Sequence, residues 1–205
     1  PGVVSWTLIL FPVWGSLFIP YAVAYFVLFF DVYWFYRSFS LVITAYLGSK
    51  KIKEAESKNW LAIVSKTPDF EKVNHIVIIP NYRETHEKLR RIVGTVAAQT
   101  FPLKQIYVVL AMEKREENAI QKAGAIMKDF AGTFGGIYAI YHPDIPGEVK
   151  GKSSNESFAA KEINKVLIDS NKIDVNFATV TTADTDSMFD RQYFSYLGYD
   201  FLKEP

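Results

Sequence analysis

Asn176-Phe-Ala-Thr-Val-Thr-Thr-Ala-Asp184-Thr-Asp186-Ser-Met-Phe189 is a short apolar run that stops at two aspartates one residue apart. Phe177, Ala178, Thr179 and Val180 have the small and β-branched character of a buried parallel strand, and in open α/β sheets ligands sit beyond the carboxyl ends of such strands. Asp184 and Asp186 stand at that end. Two carboxylates at i, i+2 in a non-helical turn offer oxygens to one side, which suits a hard divalent cation that also holds phosphate oxygens. Asp and Thr also favour turns and helix caps for local hydrogen-bonding reasons. The pair therefore takes its meaning from the rest of the chain.

Upstream, strand and helix patterns alternate. His75-Ile-Val-Ile-Ile79 is a continuous apolar run ended by Pro80, with Asn81-Tyr-Arg-Glu84 as the turn behind it. Thr85 to Gln99 carries Leu89, Ile92, Val93 and Val96 at the spacing of an amphipathic helix. Gln105 to Leu110 reads as a second strand. Glu116 to Ala131 repeats the helical pattern with Ile120, Ala123, Ile126, Met127 and Phe130, and its acidic start suits the helix dipole. Gly132, Gly135 and Gly136 precede a third strand, Ile137 to Tyr141. Ser153-Ser-Asn-Glu156 reads as a capping box opening a helix to about Asp169, with Phe158, Ala159, Ile163, Val166 and Leu167 inward. After the strand at 177–181 comes an aromatic helix from Asp190 to Leu202, with Tyr193, Phe194, Leu197 and Phe201 on one side. This alternation predicts an α/β fold with a Rossmann-like, mostly parallel sheet covered on both faces. The carboxyl ends of all four strands would then share one rim with the turn at 80–84, the segment 110–115 and the loop 142–152.

Of the 205 residues 49% are hydrophobic and 16% aromatic, enough for a core and too many for disorder. A net charge of +1 with no basic stripe gives no push toward nucleic acid. The absence of cysteine excludes disulfides and thiolate metal sites and fits a reducing compartment. His75, His86 and His142 have no ligand spacing and read as ordinary strand, helix and loop residues. The chain opens on Pro1 and stops at Pro205, and is expected to be part of a longer protein.

Charge is segregated: residues 1–30 hold no Asp, Glu, Lys, Arg or His. As one helix, Val3 to Phe30 would extend about 42 Å against a hydrocarbon core of about 30 Å. Pro12 and Pro20 should kink or divide it. Tyr33-Trp-Phe-Tyr36 and Arg37 resemble an interfacial aromatic belt with a snorkelling cation. Lys50, Lys51 and Lys53 follow and place the rest of the chain in the cytoplasm by the positive-inside tendency. One span or two is open; a second span to about Leu47 would hold Asp31 and Arg37 at membrane depth, so one is preferred. Residues 1–57 are then transmembrane and membrane-surface helices of an integral inner or plasma membrane protein. Residues 58–73 are a polar linker, and 74–205 the α/β domain.

Pro146-Gly-Glu-Val-Lys150-Gly-Lys152-Ser153-Ser-Asn155 brings two lysines and a flexible glycine to a helix N-terminus, a combination that would neutralise a diphosphate. It falls one residue short of the P-loop glycine spacing and follows the third strand after a long loop.

Taken in order, a strand ending in Pro-Asn-Tyr-Arg-Glu, a His-Pro loop ending in Gly-Lys-Ser-Ser-Asn, and a strand ending in Asp-Thr-Asp resemble the family 2 glycosyltransferases of GT-A fold. The membrane-anchored, synthase-like branch is most similar. The resemblance covers about residues 74–205, the N-terminal, nucleotide-binding half of such a domain. It implies that Pro80, Asn81, Tyr82 and Glu84 line the nucleotide pocket, that Lys152 contacts the diphosphate with Asn155 supporting the loop, and that Asp184 and Asp186 position Mg²⁺ or Mn²⁺ and the donor sugar. The donor would be a UDP- or GDP-linked sugar and the acceptor a glycan or a lipid-linked molecule. The chemistry is consistent, because sugar transfer needs the leaving diphosphate charge stabilised.

Two departures qualify the resemblance. Where the family usually has an Asp-Asp pair contacting the base, Leu110-Ala-Met-Glu113 stands here, so Glu113 becomes the substitute. The family's acceptor-side motifs, including the general base that an inverting transfer needs, do not occur in these residues. The chain is therefore expected to bind donor without catalysing transfer by itself. The competing readings are a membrane-tethered, P-loop-like nucleotide triphosphatase using Lys152 and Ser153, and a non-catalytic nucleotide-sensing scaffold.

Overall fold

Pro12 and Pro20 shape the N-terminal part of the chain. The computed structural model describes residues 1–203, which fall into two units, Pro1–Lys58 and Asn59 onward. Glu204 and Pro205, with which the expected domain 74–205 ends, lie outside the described residues. In the first unit, α1 (Gly2–Ile9), α2 (Phe11–Phe18) and α3 (Pro20–Glu56) follow one another. Both prolines sit at helix starts, where a missing N–H costs nothing. The prolines divide the segment, as expected, but the preferred span over 3–30 is corrected: α1 and α2, of 8 residues each, extend only about 12 Å. The separate surface helix expected over 38–57 is corrected too, because no proline lies between Pro20 and Glu56 and α3 runs unbroken for 37 residues. It carries Asp31 and Arg37 and is long and apolar enough to cross a membrane. Gly15 of α2 lets that helix close on α3, since a Cβ there would lie 2.9 Å from Val23.

The second unit opens with α4 (Trp60–Val64), started by the Asn59 side chain accepting from Ala62 N at 3.1 Å. The stretch 58–73 is therefore not the polar linker its composition suggested: Trp60, Val64, Phe70 and Val73 are buried in this unit. There follow β1 (Asn74–Asn81), α5 (His86–Ala97), β2 (Ile106–Glu113), α6 (Ala119–Asp129), β3 (Gly136–His142), α7 (Lys152–Leu167), β4 (Ala178–Thr182) and α8 (Tyr193–Lys203). The four strands are all parallel in the order β3-β2-β1-β4.

Alternate strand residues face opposite ways, and both faces are covered, which is why the central strands read as unbroken apolar runs. Val77, Ile79, Val108, Leu110 and Met112 pack with Leu89, Ile92, Val93 and Val96 of α5, Ala123 and Ile126 of α6, and Phe194 of α8. Ile76, Ile78, Val109 and Ala111 pack with Ala159, Ile163 and Leu167 of α7.

Several expected boundaries and faces shift. β1 continues through Pro80 and Asn81, which pair with Ala111 and Met112, whereas its pairing with β4 ends at Ile78. Pro80 thus has no β4 partner whose ladder needs its N–H. α6 starts at Ala119, leaving Glu116 in the preceding turn, and its Ile120 is 72% exposed. Val166 lies off the row Asn155, Ala159, Ile163, Leu167 that α7 buries, and is exposed. Tyr193 is likewise outside the buried arc of α8, which runs through Phe194, Ser195 and Gly198.

His75 lies at the start of β1, fully buried between Phe101 and Phe194, with Nδ1 2.6 Å from Thr179 Oγ1 on β4. Burial lowers its pKa from 6.5 to about 3. Above pH 6.5 the ring is neutral folded or unfolded and nothing is lost. As pH falls from 6.5 toward 3 the unfolded chain takes up a proton that the folded chain refuses, so stability falls over that window. The expected loss between pH 6.5 and 4.5 is about 2 kcal/mol. Denaturation midpoints of the detergent-solubilised chain should show it, and His75→Asn should flatten that interval while lowering neutral-pH stability.

Candidate functional site

From β1 the chain crosses to β2 and then β3 on one side, and later returns to add β4 on the other side of β1. The strand order therefore reverses at β1 and β4, and the crevice beyond their carboxyl ends is where α/β sheets bind ligands. A cavity of about 320 Å³ lies there. Its wall contains Pro80, Asn81, Tyr82 and Glu84 behind β1, Glu113 at the end of β2, Lys152 and Asn155 on α7, and Asp184 and Asp186 behind β4. The structure thus brings together these nine residues, all singled out from the sequence for donor or metal binding, but not Lys150. The volume falls in the usual range for small-molecule sites.

Local structure explains each position. α7 begins at Lys152 with Gly151 as its N-cap, two residues before Ser153, the N-cap of the expected capping box. Glycine has no side chain to cap with, and Ser154 instead accepts from Gly151 N (3.2 Å) and donates to Gly151 O (2.8 Å). Asn155, buried within the first turn, donates from Nδ2 to Ala111 O at 2.8 Å. That bond ties the α7 N-terminus to the end of β2 and so places Lys152 beside the β4 aspartates. Lys152 Nζ lies 2.6 Å from Asp184 Oδ1 and 3.7 Å from Glu156 Oε1. The hydrogen bond that Lys152 donates to Asp184, aided by the charges of Glu156 and Asp184, raises the Lys152 pKa and keeps it cationic.

Behind β1, Arg83 takes a left-handed conformation with φ 59°. The turn is held by Glu116, whose Oε2 accepts from Arg83 N (3.0 Å) and Asn81 Nδ2 (3.2 Å), while its Oε1 pairs with Lys122. Lys122 also donates to Glu84 O at 2.5 Å. The Glu84 carboxylate accepts from Lys88 at 2.7 Å, and that contact, with a smaller contribution from Asp186, raises the Lys88 pKa.

The two lysines expected to converge on a diphosphate part company. Lys150 pairs with Asp144 of its own loop at 2.7 Å and does not line the cavity. The second cation of the wall is Arg115, which sequence reasoning placed on the rim without a role. Its guanidinium lies 4.1 Å from the centre of the Tyr82 ring, with Nε 3.3 Å from the buried Glu113 carboxylate. Gly151 and Thr185 complete the wall. A cation after a strand's carboxyl end was the available signal for Arg115, but its partners belong to two different strands. His142, read as an ordinary residue, lies between two acids, with Nε2 3.2 Å from Glu148 Oε2 and Nδ1 3.7 Å from Glu113 Oε2.

Among the described residues no group of three or more His, Cys, Asp or Glu side chains could hold a metal ion alone. Two carboxylates facing one cavity fit an ion that keeps several water or phosphate oxygens, as Mg²⁺ and Mn²⁺ do. Asn81 Oδ1 and Asn155 Oδ1 are buried without a hydrogen-bond partner, and both residues line this wall. Comparison of the sequence with protein-family models and with curated proteins found no match.

Proposed function

We propose that this chain is the donor-binding part of a membrane-bound glycosyltransferase, a GT-A-like α/β domain that holds a UDP- or GDP-linked sugar with Mg²⁺ or Mn²⁺. The observation that carries the reading is the shared cavity at the β1/β4 reversal, where Lys152 and Arg115 meet Asp184 and Asp186. Two cations and a carboxylate pair on one wall are what a metal diphosphate needs: fixed positive charge for the phosphate oxygens, and acidic oxygens for the ion. When bound, the divalent ion supplies charge that stabilises the leaving diphosphate. Lys152, at the first turn of a helix whose backbone N–H groups are free, would hold the same phosphates. Asn155 keeps that helix end in register with β2, and Tyr82, braced by Arg115, gives the pocket an aromatic wall.

In this reading α3 crosses the bilayer and the α/β domain is cytoplasmic, following the lysines at 50, 51 and 53. A site so tethered favours a glycan or lipid-linked acceptor. The inverting base belongs to acceptor-side motifs that do not occur in these residues.

Calorimetry on the detergent-solubilised chain with UDP, GDP and ATP, each with and without Mn²⁺, tests the proposal. Mn²⁺-dependent binding of UDP or GDP is the expected result, with no appreciable sugar transfer by these residues alone. ATP-selective binding that disappears in Lys152→Ala would replace the proposal with a triphosphatase. A folded chain that binds none of the three would overturn it in favour of a scaffold.

A further inference from the structure

Asp184 and Asp186 lie on a short connection that is held at both ends. Upstream, Ala183 N donates to Ile78 O at 3.1 Å and ties the end of β4 to β1. Within the connection, Ser187 N closes a turn on Asp184 O at 2.9 Å. Downstream, the stretch 188–194 lies along α5. Arg91 and Thr95 stand one above the other on a face of that helix, and Gln99 follows just past its end. Arg91 Nη2 donates to Met188 Sδ (2.8 Å), Phe189 N to Thr95 Oγ1 (3.4 Å), and Gln99 Nε2 to Asp190 O (2.6 Å).

Gln99 makes the most of these bonds. It is only 7% exposed, and its Nε2 also donates to Thr95 O at 3.2 Å while its Oε1 accepts from Phe194 N at 3.2 Å. A carboxamide both donates and accepts; neither a carboxylate nor an apolar side chain can replace it at all three bonds. Phe194 is in the first turn of α8, where N–H groups have no partner within the helix. Gln192, the residue ahead of α8, leaves that place open because its Oε1 accepts from Trp60 N of α4 at 2.8 Å. The cap of α8 therefore comes from Gln99.

We propose that Gln99 is a positioning residue for the metal-binding turn: it clips both ends of the stretch 190–194 to the end of α5, and so holds Asp186 where it can share one divalent ion with Asp184. This rests on the donor-binding reading above and adds a residue that is not part of the cavity wall. Asp186 is exposed, so the backbone anchors on either side, rather than packing of its own side chain, fix its place. Only residues 184–188 separate the Ala183 anchor from the Phe189 anchor, which leaves little slack. α5 itself opens directly behind Glu84 of the same wall, so the clip refers the aspartates to the β1 side of the site.

The test compares the full chain in detergent as wild type, Gln99→Met and Thr100→Val. Methionine keeps the length of the side chain and loses its N–H donors and amide oxygen. Thr100 is the control, since its Oγ1 meets Ser195 Oγ inside α8 at 2.9 Å, so valine weakens the same α5–α8 junction without touching a side-chain bond to 188–194. Mn²⁺ binding is followed by electron paramagnetic resonance of the free ion, and amide hydrogen exchange over 184–190 by mass spectrometry. Gln99→Met should bind Mn²⁺ about tenfold more weakly, the lower end of what groups that orient metal ligands contribute. Its 184–190 amides should exchange at least about tenfold faster, because a local opening has lost its restraint. Thr100→Val should melt at a lower temperature and keep wild-type values of both. If Gln99→Met does not fold, Thr95→Val, which removes the acceptor of Phe189 N, takes its place with an expected loss of about threefold.

Wild-type Mn²⁺ affinity in the folded variant would overturn the inference and leave the donor-binding reading in place. So would an equal loss in Thr100→Val, which would make Gln99 one more support of α8. A folded wild type that binds no Mn²⁺ would overturn the donor-binding reading itself, and the inference with it.

Discussion

Alanine in place of Asp186 is expected to abolish the Mn²⁺-dependent part of nucleotide binding, weakening UDP or GDP at least about 100-fold, since even groups that merely orient metal ligands are worth 10- to 100-fold. The size follows from how the other acidic groups of the cavity are engaged: Glu84 pairs with Lys88 and Glu113 with Arg115. Asp184 and Asp186 are the two aspartates of the wall, and Asp184 is already engaged by Lys152 at 2.6 Å. With Asp186 gone, a divalent ion would have to compete with a cationic side chain for each carboxylate left on the wall. Asp186 is exposed and lies in a turn, so its removal should change stability by less than about 0.5 kcal/mol. The variant should therefore separate binding from folding. Calorimetry with and without Mn²⁺ checks it, with thermal denaturation alongside. Unchanged metal dependence in a folded Asp186→Ala chain would remove the aspartate pair from the site.

Lys152→Ala should give two effects of opposite sign. The affinity for UDP or GDP should fall about 10- to 100-fold, the worth of a charge-assisted hydrogen bond of about 1.5–3 kcal/mol. The affinity for Mn²⁺ alone should rise several-fold, because the side chain that occupies Asp184 is gone. In the free chain Lys152 is shared between Asp184 and Glu156, whose Oε1 is buried without a hydrogen-bond partner, so a second seat for the ammonium lies one helical turn away. The pairing raises the Lys152 pKa above its ordinary 10.5, so the lysine stays charged between pH 6 and 9 and the gain in Mn²⁺ affinity should not vary there. Electron paramagnetic resonance of free Mn²⁺ measures that gain. If Mn²⁺ binding also weakens, the lysine supports the ion site rather than blocking it.

Much of this site was legible along the chain because the signals are local. The runs 75–79 and 106–110 are apolar at every position since both faces of the sheet are covered, and a strand that stops at Asp-x-Asp places carboxylates at a known end of such a sheet. The helical rows of α5 and α7 were readable for the same reason. Other outcomes hang on contacts between distant residues. Proline is as acceptable at a helix start as it is disruptive within one, so the fate of residues 3–30 turned on the packing of α2 against α3. The stretch 58–73 looked like a linker because its few large apolar residues are scattered, and only the folded unit shows Trp60 against Tyr196 and Tyr199.

The placing of Lys152, Asp184 and Asp186 on the rim, the alternation of strands and helices, and the apolar N-terminal stretch were determined by sequence alone, for each rests on neighbours within a turn or two. Tertiary structure decided that Lys150 turns to Asp144, that Arg115 takes the second cationic place, and that Glu116 accepts from Asn81. Those pairings depend on the register between β1 and β2 and on the crossover that sets β4 beside β1. Register and crossover are chosen by the packing of whole faces, so no single stretch of the chain contains them.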